Sequence, residues 1–152
     1  MPTYSKRKFL LGLVLSLIIV SMTLAIPGGA AANKIIQGRG TLWAKGHGLA
    51  ILKGTGTVLV EGKGAGYVWV KGAETLTAQG EGRRFERHGW VLLVGWRGEV
   101  AAMGADMTVR IEGGLVEFTA TGSGTAYLRG HGTYRIGHMI GVWVSVSVSY
   151  SP

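Results

Sequence analysis

The chain has 152 residues and a net charge of +8, with 27 glycines, 3 prolines and no cysteine. Without cysteine there can be no disulfide framework and no thiolate metal site, so burial and backbone hydrogen bonds must hold the fold. Glycine far above the usual ~7% with so little proline excludes a collagen-like or Pro-rich chain, and 47% hydrophobic against 16% charged residues excludes disorder.

The chain begins with a targeting pattern. Lys6, Arg7 and Lys8 precede an uncharged apolar run from Phe9 to Val20, then Ser21, Pro27, Gly28, Gly29 and the small residues Ala30 to Ala32. Basic, apolar and small regions in that order predict a secretory signal over 1-32, cleaved after Ala32. The uncharged stretch from Phe9 to Ile26 is just long enough to cross a bilayer as a helix, which also fits an uncleaved membrane anchor. Either way residues 33-152 are expected outside the cytoplasm, secreted or anchored. From residue 33 onward 13 Lys/Arg stand against 8 Asp/Glu, a net +5 that favours anionic surfaces.

From Gly38 a repeat takes over. Gly38, Gly46, Gly54 and Gly62 are eight apart, each with a second glycine two residues later, giving GRGTLWAK, GHGLAILK, GTGTVLVE and GKGAGYVW. An even period keeps each position on the same face of a strand from unit to unit. The even face carries Leu42, Ala44, Ala50, Leu52, Val58, Val60, Val68 and Val70 and is the candidate core. Because parity must survive each turn, a three-residue Gly-x-Gly loop with its second glycine at positive φ predicts an antiparallel meander.

After a less regular middle the spacing returns in GGLVEFTA at Gly113, GSGTAYLR at Gly122 and GHGTYRIG at Gly130, with Val116, Phe118, Ala126, Leu128, Tyr134 and Ile136 on the even face. The expected fold is therefore all-β. The two arrays pack face to face as a sandwich or flattened barrel, with a β-solenoid as the alternative. The terminal run Val142 to Tyr150 alternates Val142, Val144, Val146 and Val148 with Trp143, Ser145, Ser147 and Ser149, which predicts an amphipathic strand with its valines inward, or an edge open to another chain.

Candidate sites are few. His47 and His131 sit at the centres of the two GHG units, one in each array, but the same slot holds Arg39, Thr55, Lys63, Glu81 and Ser123 elsewhere, as expected of an exposed position open to any polar residue. No ligand spacing accompanies them, so no metal or other cofactor is expected. Arg83, Arg84, Arg87 and His88 form a basic stretch suited to phosphate, sulfate or an acidic sugar, though Glu81 and Glu86 lie beside it. Trp43, Tyr67, Trp69 and Tyr127 fall on the odd face, as a platform for stacking on sugar rings or a second packing layer. There is no GxSxG elbow, paired carboxylate or strand-loop-helix phosphate cradle, so catalysis is not expected.

The expected role is thus an exported, non-enzymatic structural or interaction protein of the cell surface. The alternative is a binding module for anionic or carbohydrate polymers. Self-association is a further expected partnership, while membrane contact is expected only through the N-terminal segment 1-32 and nucleic acid is disfavoured.

Overall fold

The computed structural model describes residues 34–144. The expected signal or anchor and the last valines of the expected terminal strand, Val146 and Val148, lie outside them. Five strands follow in order: β1 (Lys34–Lys63), β2 (Tyr67–Lys71), β3 (Thr75–Arg87), β4 (Trp90–Ile136) and β5 (Met139–Val144). β1, β2, β3 and β5 all pair with β4 in one antiparallel sheet. Along β2 the partners in β4 count down from Val94 to Trp90 and from Glu112 to Thr108, which is an antiparallel register as well.

β4 runs for 47 residues, which would stretch to about 155 Å if straight, whereas a chain of this size packs into a body only a few tens of ångströms across. It is bent instead at its glycines. Pairing continues through each bend, as in Gly38↔Gly124, Arg39↔Ser123 and Gly40↔Gly122, so a Gly-x-Gly unit turns a corner without reversing the chain. Residues 41–45 pair with 117–121 on one side and 133–136 on the other, and not with 49–53. The meander is therefore replaced by one long two-stranded ribbon, β1–β3 against β4, wound so that neighbouring turns also pair. The two arrays interleave within the same sheet and do not stack face to face.

The reason is steric. At the corners glycine stands opposite glycine, as in Gly48↔Gly130 and Gly56↔Gly122. A Cβ on Gly48, at φ +127°, would run into the carbonyl of Arg129, and one on Gly130, at φ +126°, into that of His47. Two side-chain-free backbones can thus cross the bend in contact. The second glycine has positive φ in Gly40, Gly48, Gly56 and Gly64, as expected, joined by the first glycine in Gly38 and Gly54, while in the returning array it is the first glycine of the unit, Gly122 and Gly130.

The ladder falls into two rows of segments. One contains 83–87, 90–94, 67–71, 108–112, 49–53, 125–129 and 34–37 in spatial order. The other contains 75–81, 97–103, 57–63, 117–121, 41–45, 133–136 and 139–144. Both rows turn their inner faces to a single core that includes Leu42, Leu52, Val60, Val70, Val109, Phe118 and Leu128. The sheet does not close into a barrel, and a single-chain solenoid is likewise replaced, because adjacent turns come from two opposed chains.

The even positions of both arrays are the inner ones, as expected. In 107–111 the parity is inverted: Met107, Val109 and Ile111 are buried. From Gly46↔Val116 to Gly48↔Gly113, and from Gly54↔Met107 to Gly56↔Gly104, β4 advances three residues while β1 advances two. Each extra corner residue moves the following segment to the other face. In β5 the parity inverts too, since the tight turn at Gly137 (φ 57°) and His138 links Ile136 to Met139. A two-residue hairpin pairs even with odd positions. Val142 is consequently 63% exposed while Trp143 is 1% exposed, so at the start of the expected terminal strand the inward position is corrected from the valine to the tryptophan.

Candidate basic and aromatic face

Alternation along each strand leaves the outer face of the first row in view. Its central line, read from strand to strand, is Phe85, Leu92, Trp69, Arg110, Ile51, Tyr127 and Ile35. On one side of it lie Arg83, Val94, Tyr67, Glu112, Leu49 and Arg129. On the other lie Arg87, Trp90, Lys71, Thr108, Lys53 and Thr125. Seven strands at ~4.8 Å make the line roughly 30 Å long. It is apolar or aromatic except for Arg110.

Charge is divided unequally between the two outer faces. The first carries Lys53, Lys71, Arg83, Arg87, Arg110 and Arg129 against the single acid Glu112, a net +5. The second carries Lys45, Lys63, Arg97 and Arg135 against Glu61, Glu81, Glu99 and Glu117, a net of zero. The whole excess of the described residues thus matches that of one face. Glu112 is held by Arg110 at 2.8 Å, with both side chains about half exposed. On the neutral face Lys45 meets Glu117 at 3.1 Å and Lys63 meets Glu61 at 2.6 Å. The Glu61 carboxylate, by hydrogen bond and charge, raises the pKa of Lys63 above the ordinary lysine value.

Of the four expected platform aromatics, Tyr67, Trp69 and Tyr127 share the basic face, and Trp43 lies on the neutral one between Thr119 and Arg135. Two aromatics that the sequence did not single out join the platform. Trp90 stands edge-on to Trp69 with ring centroids 6.3 Å apart, and the Lys71 ammonium lies 5.6 Å above the Trp90 ring. Phe85 is 51% exposed at the margin. Both were hidden in the irregular middle, where the repeat gives no face assignment.

The basic stretch does not converge as a loop. Arg83 and Arg87 flank Phe85 on the basic face, while Arg84 points to the other side and bonds Glu86 through Nε at 3.0 Å and Nη2 at 2.6 Å. His88 forms the tight turn with Gly89, at φ 50° and 75°, the two positive values of a type I′ hairpin. Its place is set by chain reversal.

The two GHG histidines do come together. His47 and His131 are direct partners across the ribbon, exposed at a corner, with ring centroids 5.0 Å apart and planes 18° from parallel. Among the described residues no group of three or more His, Cys, Asp or Glu gathers as a metal site. At the far end of the core a cavity of about 330 Å³ opens between the rows, lined by Ile36, Leu42, Leu52, Val58, Ala120, Ala126, Tyr134 and Ile136 among others.

No family model, curated protein or solved structure matches this chain.

Proposed function

We propose that the protein is an exported, non-catalytic interaction module of the cell surface that holds an acidic polysaccharide on its basic, aromatic face. The observation that carries this reading is the coincidence of the net +5 with the aromatic line on one outer face. Sugar rings present C–H faces that pack on Tyr and Trp, and carboxylate or sulfate groups pair with flanking Lys and Arg. A flat, wide face spreads this over many weak contacts, which suits a polymer better than a small molecule held in a pocket. The N-terminal segment 1-32 would deliver or anchor the domain outside the cytoplasm, where such polymers occur.

Retention on immobilised chondroitin sulfate and polygalacturonate, against neutral dextran, tests the reading. Binding should favour the acidic polymers, weaken with salt, and fall at least about tenfold in Trp69→Ala and Arg110→Ala but not in Trp43→Ala on the opposite face. Equal retention on dextran, or equal effects of Trp69→Ala and Trp43→Ala, would reject it.

One observation favours a second, compatible reading in which copies of the chain associate. β5 pairs with β4 on one side only among the described residues, and it presents Ile140 at 74% and Val142 at 63% exposure with no charge between Met139 and Val144. Natural edge strands are usually blunted by charge or proline. Light scattering over a concentration series, with Ile140→Lys as the disrupting variant, tests this association.

A further inference from the structure

We infer that His47 and His131 form a binding site for a divalent transition-metal ion, with Cu²⁺ held most tightly and Zn²⁺ less so. The two histidines come from opposite arrays of the sequence, yet the ribbon makes them mutual partners at one corner, with their rings 5.0 Å apart at an 18° interplanar angle. At the opposite bends the central residue meets another type: Arg39 and Thr55 both stand against Ser123.

Imidazole nitrogen is a good donor for copper and zinc, and affinity rises toward copper in the divalent series. Metal–nitrogen distances of ~2.0–2.1 Å require the two donor nitrogens to approach within about 4 Å of each other. Imidazole lone pairs lie in the ring planes, so these near-parallel rings, 5.0 Å apart, converge on one ion once both turn about χ1 and about χ2, the latter a soft torsion in histidine. The surroundings leave room for that movement. Glycine lies on both sides of each histidine, at Gly46, Gly48, Gly130 and Gly132, and both rings are exposed. From below, the buried indole of Trp143 is packed against Gly46 and Gly132 and fixes the two chains at the corner.

With two protein donors the remaining coordination positions belong to water or to an incoming ligand, so the site is open and exchanges its metal. It also joins residue 47 to residue 131, and so pins the outgoing and returning chains together.

The test uses the full chain, without an affinity tag, in phosphatidylcholine nanodiscs, titrated with Cu²⁺ and followed by electron paramagnetic resonance. The expected spectrum has one copper coupled to two nitrogens. His47→Gln and His131→Gln should each reduce this to one nitrogen and weaken binding by at least about tenfold, since the second imidazole acts at high effective concentration. His88→Gln and His138→Gln should leave the spectrum unchanged. Zn²⁺ should raise the melting temperature of the wild-type chain and of neither corner variant. A one-nitrogen spectrum in the wild-type protein, or unchanged affinity and coupling in His131→Gln, would overturn the assignment.

Discussion

Trp143 lies directly across the last hairpin from Gly132, its ladder partner, and fills the space that a side chain at Gly132 would need. The same indole touches Gly46 on the outgoing chain, so one side chain from β5 plugs the corner where three segments meet. Its Nε1–H is buried and finds no acceptor among the described residues. The gain is apolar packing, and the orphaned donor subtracts from it.

Trp143→Ala should therefore cost about 3–5 kcal/mol, the usual range for emptying a large aromatic site. Trp143→Phe keeps most of the apolar contact and removes an unpaired donor that costs about 1–3 kcal/mol, so it should change stability by less than about 1 kcal/mol. Denaturant melts of the two variants give the comparison. Equal losses would mean that the indole nitrogen is satisfied and holds the strand.

Gly48 and its neighbour His47 separate backbone need from surface tolerance. Gly48 combines positive φ with a Cβ position that the carbonyl of Arg129 already occupies, whereas His47 projects into solvent. Gly48→Ala should destabilise by more than about 2 kcal/mol and His47→Ala by less than about 0.5 kcal/mol. Thermal unfolding in metal-free buffer checks this. The reverse order would rule out the bent-ribbon corner.

The parity inversion gives a sharper test, because it opposes the rule that holds in the flanking arrays. Val58 is 4% exposed at an even position and Val109 is fully buried at an odd one. Val109→Asp should unfold the domain, as Val58→Asp should, by burying an unpaired charge. Thr108→Asp and Thr57→Asp, beside them on the outer surface, should each cost less than about 1 kcal/mol. Circular dichroism of the four variants settles the assignment, and a folded Val109→Asp would refute the extra corner residues in β4.

Part of this fold is legible in the sequence alone. The all-β class and the even core of both arrays follow from an even repeat period that keeps Leu42, Val58, Phe118 and Leu128 on one parity, and all four are buried. The topology was not legible, because a glycine pair that opens a hairpin and one that lets two chains cross a bend look alike until partners are known. Gly48 reads as a loop residue alone and as a crossing only beside Gly130. Trp90 and Phe85 escaped the platform for a related reason: the tight turn at His88 and Gly89 resets the faces, and no repeat carries phase through it.

The cavity at the end of the core supplies a last prediction. Ala126 lines it, lies between Ile36 and Leu52 across the ladder, and is 4% exposed. The cavity of about 330 Å³ is partly open to solvent and borders Ala126, so two further methyl groups are expected to find room there. Valine also suits a strand. At about 0.8 kcal/mol for each buried methylene equivalent, less the entropy of fixing χ1, Ala126→Val should stabilise the domain by about 1 kcal/mol. The same change at Ala44, which is fully buried in the core and does not line the cavity, should destabilise by overpacking, by about 1–3 kcal/mol. Melting temperatures of the two variants should therefore move in opposite directions. A fall in both would mean that the space beside Ala126 is already filled, and that the end of the core is packed as tightly as its centre.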